Sequence, residues 1–130
     1  MYRWVDHTSE LELRIEASSP EDAFAEAMAA LSELLDGSIR GTAERHEISV
    51  SAPDRATLLA EWLNELVYLA DTSGFVADRI EHIALGETVM DATVAGLRGE
   101  PRPLVKAVTY HRLELTETDD AWRARVIFDV

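Results

Sequence analysis

The carboxyl-terminal part of the chain carries two apolar runs, Val105-Lys106-Ala107-Val108-Thr109-Tyr110-His111 and Ala124-Arg125-Val126-Ile127-Phe128-Asp129-Val130. They belong to two predicted strands, near 104–116 and 121–129, separated by the turn Thr118-Asp119-Asp120. β-Branched and aromatic residues favour strands, and adjacent Asp residues favour a tight turn. The sequence therefore predicts that the chain ends in a β-hairpin.

The end of the last predicted strand should bring two carboxylates close together, that of Asp129 and the main-chain carboxylate of Val130. The other end reads Tyr2-Arg3-Trp4-Val5-Asp6-His7-Thr8-Ser9-Glu10, which adds an acidic side chain just after a short polar loop. If the fold brings the two ends together, these three carboxylates converge. Like charges repel unless a cation lies between them, so this arrangement predicts a hard-metal site.

The first half of the chain alternates strands with helices. Apolar residues at every second position from 11 to 15 predict a half-buried strand with Glu10, Glu12, Arg14 and Glu16 on its polar face. Ser19-Pro20 is typical of a helix start, and Asp36-Gly37 of the end of that helix. A second strand is expected at 48–52.

A second helix and two more strands follow. Asp54 is the expected cap of the helix, and Thr72-Ser73-Gly74 its end. Strands are predicted near 75–85 and 88–96, before a loop at Gly96–Pro103. The order β-α-β-α-β-β-β-β indicates an α+β domain with two helices on a mixed sheet system. The three tryptophans fall at apolar-face positions and are predicted to be core residues: Trp4, Trp62 and Trp122.

Composition fits a single globular domain over residues 1–130, with 47% hydrophobic and 28% charged residues. No apolar run approaches the roughly 20 residues that cross a bilayer, and no signal-peptide pattern is present, so we expect a cytoplasmic protein without membrane contact. The absence of cysteine excludes disulfides and zinc–thiolate sites. The net charge of −13 argues against direct nucleic-acid binding, although an acidic surface also simply favours solubility.

Three blocks of the sequence resemble one known family. They are the opening stretch from Tyr2 to Glu10, the central Trp62-Leu63-Asn64-Glu65-Leu66-Val67-Tyr68-Leu69 with its exit Asp71-Thr72-Ser73-Gly74, and the two carboxyl-terminal runs. In order and spacing they are similar to the archeases, small proteins that assist the RtcB-type RNA-splicing ligase. The resemblance implies one archease-like domain over 1–130, in which a strand-helix-strand-strand module is inserted into a second small α/β unit.

The resemblance also implies roles for individual residues. Asp129 corresponds to a metal ligand, and Glu10 stands where the family usually has a ligating Asp. With the Val130 carboxylate these would hold a divalent cation, and Ca²⁺ tolerates the longer Glu better than Mg²⁺ or Mn²⁺ does. Lys106 would contact the ligase or a phosphate, and His7 lies in a matching block.

From the residues alone, each of these positions has a simpler interpretation. Asp129 can equally be an exposed acidic residue at the end of a strand, and Glu10 an ordinary residue of a polar strand face. Lys106 can equally be an ordinary solvated lysine. His7 and His111 are also explained as structural residues that hydrogen-bond loop backbone.

The function implied by the resemblance is that of a non-enzymatic accessory factor. Such a factor promotes guanylylation and multiple turnover of an RtcB-type ligase in tRNA splicing or RNA repair, through a divalent-metal site. One alternative is a small ligand- or metal-binding regulatory module that acts on another protein. Another is a metal-dependent hydrolase, in which the carboxylates and His7 activate water.

Overall fold

A computed structural model of the protein describes residues 1–36 and 41–130. Its strands and helices, in chain order, are β1 (Tyr2–His7), β2 (Glu10–Ala17), α1 (Pro20–Leu35), β3 (Thr42–Ser51), α2 (Arg55–Ser73), β4 (Phe75–Leu85), β5 (Val89–Arg98), β6 (Ala107–Thr118) and β7 (Ala121–Asp129). The predicted α+β fold with two helices is confirmed.

The described strands form two sheets in which all pairings are antiparallel, so the sheets are not mixed, contrary to the sequence-based expectation. A four-stranded sheet has the order β1-β2-β7-β6, and a three-stranded sheet has the order β3-β5-β4. The second sheet and α2 make up the predicted strand-helix-strand-strand insertion, which the chain enters after α1 and leaves before β6. The insertion lets β2 pair with β7 from the far end of the sequence.

The prediction of six strands is wrong by one, because β1 is an additional strand that pairs with β2. A tight turn at Thr8–Ser9 joins them, with Ser9 in the left-handed region at φ 61. β1 is a six-residue edge strand, and Tyr2 and Trp4 are only partly buried against the core. Its apolar and polar residues therefore alternate only weakly along the sequence, which is why the strand was not predicted. Because β1 precedes it, the strand that pairs with β7 is the second strand of the chain.

Both helices begin at the residues that the sequence predicts. The Ser19 hydroxyl accepts a hydrogen bond from the backbone N–H of Asp22 at 3.1 Å. The Asp54 carboxylate accepts one from the backbone N–H of Thr57 at 2.8 Å. Each side chain satisfies an amide that would otherwise lack a partner in the first helical turn.

The end of α2 is also confirmed, at Gly74, which has a φ of 68. A Cβ at this position would lie 2.3 Å from the carbonyl oxygen of Gly99, so only glycine fits. Helix α1 ends at Leu35 with Asp36 as its cap, and Gly37 lies outside the described residues.

The core lies where the two helices contact both sheets. Trp62 is fully buried, and its indole N–H donates to the Phe24 carbonyl at 3.1 Å, which ties α2 to α1. Trp4 packs partly buried against Phe128, with ring centroids 5.5 Å apart. Trp122 is also only partly buried, and the Arg55 guanidinium lies 5.9 Å from its ring centroid.

The loop before β6 differs slightly from the prediction of 96–103. Strand β5 continues to Arg98, and β6 starts at Ala107 rather than near 104, so the connection is 99–106. Gly96 is therefore a strand residue, and a Cβ there would lie 2.0 Å from the Val76 carbonyl oxygen. Neither helix in the described ranges is long and apolar enough to cross a membrane. The cytoplasmic location stays a prediction.

Helix α2 covers the edge of the four-stranded sheet. β6 is an edge strand, and such strands expose main-chain groups unless another element covers them. The Asn64 side chain accepts a hydrogen bond from the Val108 N–H at 3.1 Å and donates one to the Val108 carbonyl at 3.4 Å. Asn64 therefore acts as a short substitute for a further strand.

We expect Asn64→Ala to lower the free energy of unfolding by about 1–3 kcal/mol, because it leaves both main-chain groups of Val108 without a partner. Equilibrium urea unfolding measures the change. Glu65→Ala is the matched control, since Glu65 is the next residue of the helix and is exposed, and its effect should stay within about 0.5 kcal/mol. Equal stability of Asn64→Ala and the native protein would mean that water replaces the side chain.

Candidate metal and partner-binding site

Glu10 and Asp129 lie directly opposite each other in the pairing of β2 with β7. The same row continues to His7 on β1 and Ala107 on β6. Side chains alternate along a strand, and the next pair, Leu11 and Phe128, faces the core. The row with Glu10 and Asp129 therefore lies on the outer face of the sheet, away from the helices.

The backbone pairing brings these two acidic residues close together. The Val130 N–H donates to the Ser9 carbonyl at 3.4 Å, so the hydrogen-bonded pair lies just beyond Glu10 and Asp129. Opposed residues between such bonds form the narrower pairs of an antiparallel ladder, with Cα atoms about 4.5 Å apart. Within the described ranges, no Lys, Arg or His forms an ion pair with either carboxylate.

The side chains alone offer few metal ligands. In the part of the chain that the structure describes, no three His, Cys, Asp or Glu residues are grouped so that they could hold an ion. If a cation bound here, Glu10 and Asp129 would be two acidic ligands, and the expected third ligand is the main-chain carboxylate of Val130, a partly buried residue. This all-oxygen set fits Ca²⁺ or Mg²⁺ and does not suit a zinc site of His and Cys.

Lys106 lies beside Asp129 through the main chain. Its backbone N–H donates to the Asp129 carbonyl at 2.8 Å, just before β6 begins. The side chain is exposed, and no carboxylate of the described residues pairs with it. Its exposed ammonium group therefore has hydrogen-bond donors available for a partner.

The sequence suggested that His7 hydrogen-bonds loop backbone, but the structure pairs its side chain with a carboxylate. Its Nε2 lies 3.0 Å from Oε1 of Glu12, and the Arg14 guanidinium donates to the other oxygen of that carboxylate. Glu12 lies on the predicted face of β2 with Glu10 and Arg14, but it is only 1% exposed, so its carboxylate is buried rather than solvated. His7 and Arg14 flank it, and the opposite residue, Ile127, is equally buried.

The carboxylate of Glu12 remains charged in this setting. Burial by itself raises a carboxyl pKa, but hydrogen bonds and positive charge from Arg14 and His7 outweigh it and hold the pKa of Glu12 below its usual value. Sequence reasoning missed this network. The only signal was the spacing of Glu12 and Arg14, which puts them on one face of a strand, and that spacing is equally typical of solvent-exposed pairs.

Comparison with known proteins agrees with the order and spacing of the three sequence blocks. The model of the Archease protein family (MTH1598/TM1083) matches residues 2–130. The chain belongs to the archease family.

Related archeases cover almost the whole chain. "Protein archease" of Methanosarcina barkeri is 33% identical over 140 residues, covering 99% of this chain and 95% of the relative. The corresponding protein of Pyrobaculum islandicum is 31% identical over 139 residues, with the same coverage.

Two solved structures are similar to this archease. The solution structure of Methanobacterium thermoautotrophicum protein 1598 has a TM-score of 0.72 and 27% identity, and the match covers 99% of this chain and 98% of that one. A crystal structure from Thermotoga maritima, described as an archease and possible chaperone, has a TM-score of 0.73. At 23% identity, over 100% of this chain and 98% of that one, the second comparison shows the fold alone.

Glu12→Gln should lower the free energy of unfolding at pH 7 by about 1–3 kcal/mol, because the amide keeps the shape but removes the charge that His7 and Arg14 contact. Since folding lowers the pKa of Glu12, its ionic contribution is present above the unfolded pKa of about 4.3 and is lost as pH falls through the folded value. The difference between the two proteins should therefore shrink below about pH 4. Urea unfolding at pH 7 and at acid pH measures it.

Glu16→Gln is the control for this comparison, since Glu16 lies on the same strand face and its side chain is 58% exposed. It should change stability little at either pH. A Glu12→Gln deficit that stays constant into acid would show that shape, not charge, explains the effect.

Proposed function

We propose that this archease is a non-enzymatic accessory factor of an RtcB-type RNA ligase. It promotes formation of the ligase–guanylate intermediate and multiple turnover, in tRNA splicing or RNA repair. The nucleotide and the residue that becomes guanylylated belong to the ligase. The archease supplies a surface, formed by Glu10, Asp129 and their neighbours, that acts on the ligase.

One observation supports this proposal above the others: Glu10 and Asp129 oppose each other in a narrow pair with no basic partner among the described residues. Two unpaired carboxylates at this spacing destabilise the sheet, because like charges directly opposite repel. An arrangement that costs stability is expected at functional sites. The family match over residues 2–130 supports the choice of an accessory role.

A divalent cation suits the site, with Glu10, Asp129 and the Val130 carboxylate as its ligands. When bound, it offsets the repulsion of the carboxylates and adds positive charge to the outer face. Ca²⁺ is the favoured ion because its coordination tolerates the extra methylene of Glu10. His7, at the end of the same row, and Lys106, beside Asp129, are the side chains that we expect to contact the ligase.

The charge of the whole molecule agrees with a protein partner. With 12 basic and 25 acidic residues, the archease repels a polyanion over most of its surface. A basic region on a ligase would be attracted instead. The proposal therefore includes no direct contact with nucleic acid and no contact with a membrane.

Asp129→Asn and Lys106→Ala should each reduce ligation to the rate of the ligase alone. Asp129→Asn removes a proposed metal ligand. Lys106→Ala leaves the proposed metal ligands in place, because an ammonium group cannot bind a cation, and removes only the proposed contact to the ligase. Single- and multiple-turnover ligation, with guanylylation followed separately, measures the effect. Lys106→Ala should unfold within about 0.5 kcal/mol of the native protein, since the side chain is exposed. Asp129→Asn should be as stable as the native protein or slightly more stable, since it relieves the repulsion from Glu10.

Asp71→Asn is the matched control, an equal loss of charge at an exposed position of α2, and it should stimulate the ligase normally. Full stimulation by Asp129→Asn would exclude the carboxylate from the function. Hydrolysis of a substrate by the archease alone, without the ligase, would overturn the non-enzymatic role and favour a hydrolase.

Cation affinity should distinguish the native Glu10 from the acidic Glu10→Asp and the neutral Glu10→Gln. Glu10→Asp should bind Ca²⁺ nearly as well as the native protein, because the charge is unchanged and the coordination is adaptable. Glu10→Gln should bind at least about tenfold more weakly, because it keeps the length but removes one anion. Calorimetric titration measures all three. If Gln binds as well as Glu, then Glu10 is only a polar strand residue.

A further inference from the structure

Arginines form a row across the outer face of the four-stranded sheet. Arg3 of β1 lies opposite Arg14 of β2, and Arg14 lies opposite Arg125 of β7. A fourth, Arg123, is two residues away on β7 and therefore on the same face. These four make up a third of the 12 basic residues of a chain with a net charge of −13. The sign of the surface charge is thus inverted at this place.

The four arginines line one open cavity of about 400 Å³. The acidic side chains among its lining residues are Glu16 and Glu114. Its volume is in the range of roughly 300–1,000 Å³ that small-molecule pockets occupy. It lies four residues along β2 from Glu10, about 13 Å at the rise of a strand, so it is separate from the candidate metal site.

The row costs stability, because like charges directly opposite each other in a sheet repel. Arg14 and Arg125 are two steps of alternation from the Glu10–Asp129 pair and therefore form a narrow pair of the same kind. Their side chains are also accessible, at 45% and 36% exposure. A row of arginines that destabilises the sheet is expected at a site where the positive charges bind a ligand.

The protein's own carboxylates engage only part of these guanidinium groups. Each guanidinium has five N–H donors. Arg14 uses its Nε–H on buried Glu12. Arg125 uses its Nε–H on the Arg112 carbonyl at 3.0 Å and one Nη on Glu114 at 3.1 Å.

The other two arginines are less engaged. Arg123 lies 3.9 Å from Glu16, and both side chains are 58% exposed, which makes a weak pair. No carboxylate of the described residues pairs with Arg3, which is also exposed. Several N–H donors therefore remain free around one cavity.

We propose that this cavity binds the phosphate groups of a small phosphorylated ligand, with Arg3, Arg14, Arg123 and Arg125 as donors. The planar guanidinium fork matches phosphate oxygens in a two-pronged hydrogen bond, and several forks from three strands suit a chain of phosphates. The anion would also relieve the repulsion between the paired arginines. This site goes beyond the proposed accessory function and does not depend on it.

A small ligand fits better than a nucleic acid. Binding along a nucleic acid needs several cationic contacts spread over successive phosphates. Here the basic residues gather at one cavity bounded by Glu16 and Glu114, on a molecule whose net charge repels a long polyanion. The ligand therefore has the size of a nucleoside polyphosphate or a short inorganic polyphosphate, such as tripolyphosphate.

Calorimetric titration of the whole chain with inorganic tripolyphosphate tests the site, at low salt and with a chelator to keep divalent metals away. We expect Arg3→Gln to weaken binding by at least about tenfold, because a charge-assisted contact is lost. Arg3 is chosen because the fold gives it no ion pair, whereas Arg14→Gln would leave Glu12 buried without its partner. Arg3→Lys keeps the charge but lacks the fork, so its affinity should lie between the two.

Arg79→Gln is the matched control, with the same loss of charge on β4 of the other sheet and a side chain that is 63% exposed. It should change the affinity less than about twofold. A nucleoside triphosphate in place of tripolyphosphate distinguishes the two sources of phosphate: tighter binding indicates a nucleotide, and equal binding an inorganic chain.

Three results would overturn the proposal. The first is that the native protein does not bind tripolyphosphate at millimolar concentration. The second is that Arg79→Gln weakens binding as much as Arg3→Gln does, which would indicate general charge. The third is that single-stranded RNA binds more tightly than either small probe and with the same dependence on Arg3, which would indicate a nucleic-acid surface.

Discussion

The antiparallel pairing of β2 with β7 is the constraint on which the rest of the structure depends. It joins the two ends of the sequence, and everything between them, including the inserted three-stranded sheet and α2, has to fold within that closure. Its register is fixed by burial, since Leu11, Leu13 and Ile15 face the core on one strand, and a slip by one residue would turn them to solvent. The same register decides which charged residues meet on the outer face. The core and the candidate sites are thus set by one pairing.

The outer face of the four-stranded sheet is unusual because charges of one sign oppose each other in two rows. Glu10 opposes Asp129 at one end, and Arg14 opposes Arg125 further along the same strands. Between the rows, Glu12 is buried and contacts both His7 and Arg14. Each row is unfavourable by itself. A cation at the first and an anion at the second would relieve both, which gives the two proposals a common physical basis.

Local chemistry made much of the fold predictable. Ser19 and Asp54 are good helix caps in any context, and Gly74 ends α2 because only glycine adopts its backbone conformation without strain. The hairpin turn after β6 was equally clear, because adjacent Asp residues favour a tight turn. In the structure Asp119 and Asp120 both have positive φ, as a tight two-residue turn requires. The first strand was missed because it lies at an edge, where one face is only partly buried and the apolar alternation is correspondingly weak.

The sequence by itself determined both helices, every described strand except β1, the order of these elements, and the acidic and basic residues available at each end of the chain. Only the tertiary structure decided that Glu10 meets Asp129, that Glu12 is buried, and that Arg3, Arg14 and Arg125 align. The physical reason is that caps and turns depend on interactions within a few residues, which a sequence displays directly. Pairs across strands depend on the register between distant segments, and burial of a charged group depends on which neighbours cover it.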